Sequence, residues 1–316
     1  MFQNTLFILL FAFSSLYCKK IAVVGWMHGV NYIKDFLEEN LAPLGHQIEV
    51  IWKDADFDSY DLIVSCNAHY FLKEYKFKTI VSTFEPPIII KEHGNYNDYK
   101  DYLCIFTWHH DMYNGHEIKK FYYPCEHKQD LDRTSMLPFK KRRLACMVNS
   151  HLTNWHPEEL YSVRKKICLF YQQYYPSSFS LYGKRGWGPA FYPVFKGMAD
   201  DKDLVLRSHK FNYCYENWLN DSYYISEKLF ESFNSLCVPI YLGSSKVTKY
   251  IPAETFIDAR KFKNLDELHT FLATMDEATY MSYINAIIEF NQSETVKLFS
   301  SEYHNQNVLN EILLYL

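Results

Sequence analysis

Charged and polar side chains between positions 216 and 228 are the part of this 316-residue sequence best suited to chemistry. Glu216 and Asn217 end an apolar run that begins at Lys210, and Glu227 and Lys228 open the helix-like segment that follows. Ligands of open α/β sheets bind at the carboxyl ends of the strands, and a helix start attracts anions through its free N–H groups. Lys228 adds a full positive charge, so the pattern predicts a phosphate-binding site.

A second candidate, Glu85, lies far away along the chain. It ends the apolar run that begins at Thr79, and Pro86 and Pro87 follow it. Two consecutive prolines force extended, non-helical backbone. This arrangement predicts a carboxylate fixed at the edge of a sheet and facing a cleft, where it can act as a general base.

The elements that must position these residues alternate between strand-like and helix-like segments. The apolar runs that predict strands cover residues 20–25, 47–52, 61–66, 79–84, 102–107, 144–148, 179–183, 210–216 and 238–243. Helical spacing covers residues 30–44, 158–174, 225–236, 266–272 and 300–316. Such alternation is typical of parallel sheets with right-handed crossovers. The fold class is therefore α/β, with two Rossmann-like domains facing a central cleft.

Composition shifts along the chain predict where the domains begin and end. Residues 1–18 are apolar but short for a bilayer span, and they are interpreted as a targeting or anchoring segment. A signal-peptide core and a buried first element are the alternatives. Residues 19–130 form the predicted N-terminal Rossmann-like domain, and residues 131–316 form the predicted C-terminal Rossmann-like domain. The charged stretch between positions 126 and 143 is the predicted linker.

Composition also argues against several classes of function. The net charge of -4, without a long basic run, is unlike a tight nucleic-acid binder. The eight cysteines have no zinc-site spacing and are expected to be mostly free thiols, and no G-x-S-x-G elbow of a serine hydrolase occurs. Asp54 and Asp56 are interpreted as turn acids, and His109 and His110 as loop or cleft-lining residues, so no metal site is predicted.

The stretch from Lys210 to Asp258 resembles the C-terminal domain of the family 10 glycosyltransferases, the α1,3/4-fucosyltransferases. That family has a strand ending F-E-N, then Y-[IV]-[ST]-E-K, a helix, and [IV]-P-[IV]-x-x-G. The corresponding residues here are Tyr215-Glu216-Asn217, Tyr224-Ile225-Ser226-Glu227-Lys228 and Val238-Pro239-Ile240-Tyr241-Leu242-Gly243. Tyr215 replaces the usual Phe, and the loop before Tyr224 is one residue longer.

The resemblance implies a GT-B-like fold and an inverting enzyme that moves fucose from GDP-fucose to a hydroxyl of a glycan acceptor. It makes residues 19–130 the acceptor domain and residues 131–316 the nucleotide-sugar-binding domain. Glu85 occupies the place of the catalytic carboxylate in the family's E-S-P turn, with Pro86 where Ser is usual, and Glu227 is the second catalytic candidate. The donor-binding residues implied are Arg164, Tyr215, Glu216, Asn217, Tyr224 and Lys228. No metal is expected to be required, although a divalent cation could stimulate transfer.

Two alternatives remain open beside this hypothesis: the same fold with another nucleotide sugar, and a catalytically inactive glycan-binding protein. The expected partners are a nucleotide sugar and a glycan acceptor, not nucleic acid. Residues 1–18 predict membrane association, at the cytoplasmic side of the inner membrane in a bacterium or at the Golgi in a eukaryote, where the role would be in protein glycosylation.

Overall fold

The computed structural model describes residues 18–25, 27–94, 96–128, 130–184 and 186–316, in two compact units. The first unit runs to Tyr122 and includes Ser301–Leu316, and the second is Tyr123–Ser300. Apart from Cys18, the predicted targeting segment lies outside the described residues. Within the described ranges, no helix has the length and apolarity needed to cross a bilayer. All eight cysteines are described, and each is a free thiol, as predicted.

The first unit is built on a six-stranded parallel sheet in the order β2-β1-β3-β4-β5-β6. Its strands are β1 Lys20–Val24, β2 Gln47–Ile51, β3 Leu62–Cys66, β4 Thr79–Ser82, β5 Cys104–Thr107 and β6 Ile118–Lys120. Every residue of β3, β4 and β5 is buried, as expected for parallel strands covered on both faces. Helix α1 Met27–Leu41 lies between β1 and β2 along the chain, and the short helix α2 Tyr96–Tyr99 lies between β4 and β5.

The last helix of the chain, Ser301–Ile312, packs in the first unit although the sequence analysis assigned it to the second domain. Its buried His304 ring makes edge contacts with Phe84, Phe106 and Phe121, at ring-centroid distances of 5.6, 6.0 and 5.2 Å respectively. Glu311 forms an ion pair with Lys119 at 2.8 Å. The boundaries of the two compact units therefore differ from the predicted domain boundary at residue 130. An amphipathic pattern predicts that a helix forms, but it does not indicate which sheet the helix packs against.

The second unit is built on a five-stranded parallel sheet in the order β11-β10-β9-β7-β8. Its strands are β7 Arg143–Val148, β8 Phe179–Tyr182, β9 His209–Asn220, β10 Val238–Ser244 and β11 Ile257–Asp258. Its helices are α3 Tyr161–Tyr174, α4 Lys202–Arg207, α5 Glu227–Asn234, α6 Leu265–Thr274, α7 Glu277–Asn291 and α8 Glu294–Lys297, and the helix at Ser301–Ile312 is α9.

The predicted strands and the longer predicted helices are present, with ends that shift by a few residues. The main difference is β9, which does not end at Glu216 and Asn217 but continues to Asn220. Its pairing with β10 becomes irregular between Leu242 and Ser244, where the register shifts. The backbone therefore bends near the predicted site without ending the strand. The sequence analysis did not predict the strands β6 and β11 or the helices α2, α4, α7 and α8.

Candidate functional site

The start of α5 holds the central cluster of the second unit. Ser226 precedes this helix, and its backbone N–H and hydroxyl donate to the two carboxylate oxygens of Glu216 at 2.8 and 2.6 Å. Glu216 is fully buried on β9. Lys228 Nζ donates to Ser226 Oγ at 2.8 Å and lies 3.3 Å from Glu216 Oε2. The strand and the first turn of the helix are therefore joined through one buried carboxylate.

The charge of Lys228 is shared between two carboxylates. Its Nζ lies 3.2 Å from Glu227 Oε1 in addition to the contact with Glu216. Burial alone would lower the pKa of Lys228, but Glu227 and Glu216 together raise it. Burial alone would raise the pKa of Glu227, but Lys228 and Lys202 lower it to about 2. Lys228 and Glu227 are consequently both charged at neutral pH, as a preorganised phosphate and sugar site requires.

Arg164 contributes a second cation from α3. Its Nη2 donates to the backbone carbonyl of Tyr215 at 2.6 Å and to Asn217 Oδ1 at 2.9 Å. Its guanidinium lies over the ring of Tyr161, with 5.1 Å between the guanidinium carbon and the ring centroid. The side chain is buried, and burial lowers its pKa, although an arginine remains protonated in proteins. Its buried Nε has no hydrogen-bond partner in the structure.

Gly243 lets β10 pass directly beside the buried carboxylate. A Cβ at this position would lie 2.4 Å from Glu216 Cγ and 2.6 Å from the Tyr241 hydroxyl. Such distances are far below van der Waals contact. Only glycine fits here while Glu216 keeps its place.

The structure brings together four of the six predicted donor-binding residues and the catalytic candidate Glu227, and it places the two tyrosines in packing positions. Arg164, Asn217 and Glu216 are linked along β9, and Glu227 and Lys228 join them through Ser226. Tyr215 is buried with its ring against Tyr213 at 5.6 Å, so its backbone carbonyl rather than its ring meets Arg164. Tyr224 is buried with its ring edge-on to Tyr123 at 6.4 Å.

Glu85 lies in the first unit, in the segment that follows β4 at the carboxyl edge of the sheet. It is half-buried, and the chain turns directly beyond it, with the Ile89 N–H donating to the Pro86 carbonyl at 2.9 Å. Its backbone contacts the side chains of Asn67 and His93. Its position at a sheet edge is the one that the sequence predicted.

Sequence reasoning missed Asn67 and His93, and it named Ser226 and Gly243 within the motif without giving either a role. Ser226 stands at the N-cap position, where serine is common, but its hydroxyl donates to Glu216 instead of capping the helix. Glycine at the end of an apolar strand can mark a close backbone approach, and Gly243 makes one to Glu216. Asn67 and His93 carried no local signal, because their partners are distant in sequence.

The acidic residues interpreted as turn acids, and the histidines interpreted as loop or cleft-lining residues, make ordinary structural contacts. Asp56 Oδ1 accepts the Asp58 N–H at 3.2 Å and caps a short turn, as predicted. His110 is buried and its Nε2 lies 2.8 Å from the Phe121 carbonyl, while the His109 ring packs on Trp108 at 4.1 Å. Across the described ranges, no group of three or more His, Cys, Asp or Glu side chains is arranged to hold a metal ion.

Sequence comparisons connect this site to characterised proteins. The family model described as glycosyltransferase family 10 (fucosyltransferase) C-term matches residues 138–308, more than half of the chain. The mouse 4-galactosyl-N-acetylglucosaminide 3-alpha-L-fucosyltransferase 9 is 32% identical over 152 residues, 46% of this chain and 37% of that protein. The Helicobacter pylori alpha-(1,3)-fucosyltransferase FucT is 33% identical over 94 residues, 28% of this chain and 20% of that protein. The chain thus matches 37% of the length of the first relative and 20% of the length of the second.

A structural comparison covers more of the molecule. The crystal structure of an alpha1,3-fucosyltransferase with GDP-fucose has a TM-score of 0.56 and 18% sequence identity, over 94% of this chain and 90% of that one. At this identity the likeness concerns the fold. It confirms the predicted α/β, GT-B-like fold class with two Rossmann-like sheets.

Proposed function

The chain belongs to glycosyltransferase family 10, and we propose that it moves fucose from GDP-fucose to a hydroxyl of a glycan acceptor with inversion, as an α1,3-fucosyltransferase. The observation that carries the proposal is the cluster of Arg164, Glu216, Glu227 and Lys228. It lies inside the region that matches the family, and the relatives compared above are named as fucosyltransferases.

The cations of this cluster suit the leaving group. As the bond between the sugar and the diphosphate breaks, negative charge grows on the departing GDP. Lys228 and Arg164, held in place by Ser226, Glu216 and Asn217, stabilise that charge without reorganising during the reaction. Their fixed geometry supports tight binding of a diphosphate in the transition state.

The carboxylate of Glu227 suits the donor sugar or ribose. It is 37% exposed, and its low pKa keeps it charged, so it is available to accept hydrogen bonds from sugar hydroxyls. Glu216, in contrast, is fully buried and already accepts two hydrogen bonds from Ser226. We assign Glu216 to supporting Lys228 and the start of α5, and Glu227 to direct contact with the donor.

Glu85 is assigned as the general base. The acceptor oxygen attacks the anomeric carbon, and Glu85 takes its proton as the new bond forms. The bond from the anomeric carbon to the diphosphate oxygen breaks through an oxocarbenium-like state, and its electron pair leaves with GDP. The support for this role is the placement of Glu85 at the carboxyl edge of a parallel sheet, where α/β proteins hold their ligands.

A donor screen tests the proposal. The purified protein is given a panel of sugar nucleotides with a mixture of glycan acceptors, and both transfer and hydrolysis are measured. We expect turnover with GDP-fucose above all other donors. Turnover with a different nucleotide sugar would keep the fold and the mechanism but replace the donor, and binding of glycan without any turnover would favour the inactive glycan-binding alternative.

Two further features remain predictions. We propose that transfer needs no divalent metal, since Lys228 and Arg164 supply the positive charge, and the same assay with and without EDTA tests this.

Membrane association through residues 1–18, at the Golgi or at a bacterial inner membrane, is tested by fractionating cells that express the full chain.

A further inference from the structure

We propose that Asn67 and His93 are positioning residues for Glu85: they clamp its backbone from two sides and thereby fix the direction of its carboxylate. The inference rests on the proposed function, in which Glu85 takes the acceptor proton. It goes beyond that function because both residues lie outside the region that matches the family.

Asn67 holds the segment before the carboxylate. Its Oδ1 accepts the backbone N–H of Phe84 at 2.9 Å and the backbone N–H of Glu85 at 3.0 Å. The side chain is buried, at the end of β3 beside β4. One amide oxygen thus accepts hydrogen bonds from two consecutive backbone N–H groups that lie beyond the end of β4.

The backbone of Asn67 is itself held in an unusual conformation. Its φ is +99°, a region that side-chain-bearing residues rarely adopt and that Asn tolerates better than most. The Asn67 N–H donates to the Ser82 carbonyl at 2.8 Å, and the Ser65 hydroxyl donates to the Asn67 carbonyl at 2.7 Å. Strained backbone of this kind persists only where neighbours over-determine it, and it is concentrated at functional sites.

His93 holds the same segment from the other side. Its Nε2 accepts the Ala68 backbone N–H at 3.0 Å, so its Nδ1 carries the proton and donates to the Glu85 carbonyl at 2.5 Å. The ring is fully buried, and burial lowers its pKa to about 4. His93 is therefore a neutral bridge between the end of β3 and Glu85.

A third tie fixes His93 in turn. The Tyr99 hydroxyl donates to the His93 carbonyl at 3.0 Å and lies 3.1 Å from Thr107 Oγ1 at the end of β5. The ends of β3, β4 and β5 are thus connected through Asn67, His93 and Tyr99. We call Asn67 and His93 the Glu85 clamp.

The clamp acts on geometry rather than on charge. A general base must stand within hydrogen-bond reach of the proton it removes. A displacement of about 1 Å costs up to about 100-fold in rate. Because both amides around the carboxylate and its own carbonyl are held, the clamp removes the backbone motions that would move Glu85 out of reach.

The first test replaces Asn67 by glycine. Asn67→Gly tolerates the positive φ and removes the side chain whose amide oxygen accepts the Phe84 and Glu85 N–H groups. The matched control is Asn114→Gly in the same unit, because Asn114 Oδ1 also accepts two backbone N–H groups, those of His116 and Ile118, before β6. We expect kcat for transfer to fall about 10–100-fold in Asn67→Gly, with unchanged GDP-fucose KM. Asn114→Gly should keep the wild-type kcat.

Amide exchange gives a readout that does not depend on turnover. Hydrogen–deuterium exchange of the peptide containing Phe84 and Glu85 should accelerate in Asn67→Gly and stay unchanged in Asn114→Gly.

In a second pair of variants, His93→Gln keeps an amide donor and acceptor and should retain more kcat than His93→Leu.

The outcomes separate the clamp from the function it serves. Wild-type kcat in Asn67→Gly would overturn the clamp and leave the proposed function intact, provided that Glu85→Gln abolishes transfer. A proportional loss of kcat and GDP affinity, or equal loss in both His93 variants, would indicate general damage to the fold and also overturn the clamp. Full transfer by Glu85→Gln would refute the base itself and, with it, any positioning role.

Discussion

The two carboxylate-bearing regions of the molecule are built in opposite ways. In the second unit, Glu216 and Glu227 are held beside Lys228 by full charges at 3.2–3.3 Å. In the first unit, the backbone of Glu85 is held by neutral groups, the amide of Asn67 and the uncharged ring of His93. Charged groups hold the first of these regions in place, and neutral hydrogen-bonding groups hold the second.

This difference matches the two chemical tasks that we propose for these regions. A site that binds a diphosphate must present cations before the ligand arrives, and paired carboxylates keep those cations in place. A general base must instead be free to change its protonation state during each turnover. Holding it through its backbone with neutral groups fixes its place without adding a charge that would compete for the proton.

The largest expected effect comes from breaking the charged region. Lys228→Met leaves Glu216 as a fully buried carboxylate without its cation, and removing one partner of a buried pair costs about 3–5 kcal/mol of unfolding free energy. GDP binding should also be lost, as measured by calorimetry beside urea unfolding.

The control for this variant is Lys297→Met, which removes an exposed ion pair with Glu294 and should cost no more than about 1 kcal/mol. The double variant Lys228→Met with Glu216→Gln should recover part of the stability but not the GDP affinity. Equal stability of Lys228→Met and Lys297→Met would contradict the charged account of this region.

Acid should loosen the neutral region around Glu85 through its buried His93. The pKa of His93 is about 4 in the fold because of burial, against 6.5 in the unfolded chain, so the unfolded state binds more protons between these values. Stability therefore falls as the pH drops from about 6.5 to 4, by about 3 kcal/mol for this group. The buried His110 and His304 of the same unit act in the same direction.

In the second unit, the pKa of Glu227 is about 2, so its contribution is present above about pH 4.5 and is lost only as the pH falls towards 2. The buried His209 of this unit also has a pKa of about 4, because burial lowers it, so both units lose stability between about pH 6.5 and 4. Amide exchange at pH 7 and pH 5, corrected for intrinsic rates, should show lower protection around Glu85 at pH 5, and His93→Gln should flatten this pH dependence. An unchanged pH dependence around Glu85 in His93→Gln would contradict the role of His93.

A smaller effect is expected from Gly243→Ala. The added Cβ would lie 2.4 Å from Glu216 Cγ, and such overpacking typically costs about 1–3 kcal/mol. The thermal midpoint should fall by several degrees, with weaker GDP binding because Glu216 and Lys228 shift together. Gly188→Ala is the control, since no atom lies within 4 Å of its added Cβ. Identical midpoints for the two variants would show that β10 has room beside Glu216.

The charged region could be predicted from the sequence because its residues are close together along the chain. Glu216, Asn217, Glu227 and Lys228 lie within one strand, one loop and one helix turn, so their spacing already implies proximity. The strands could be predicted for a similar reason, since buried parallel strands are short apolar runs. The continuation of β9 to Asn220 could not, because Glu216 and Asn217 interrupt the apolar run before Trp218 and Leu219.

The clamp could not be predicted, because its contacts join Asn67 to residues 84 and 85 and His93 to residue 68. No local pattern marks such pairs. The sequence instead drew attention to His109 and His110, whose adjacent rings were conspicuous but pack on Trp108 and reach the Phe121 carbonyl. Only the pairing of β3 with β4 shows which asparagine and which histidine lie beside Glu85.

The most direct measurement compares chemistry and binding in one variant, Glu85→Gln, with Glu74→Gln on the surface of the same unit as its control. With Glu85 as the base, transfer from GDP-fucose should fall by about 10²–10⁴-fold while the dissociation constant for GDP stays unchanged. Glu74→Gln should match the wild type in both. Undiminished transfer by Glu85→Gln would contradict the division of labour between a base in the first unit and a donor site in the second.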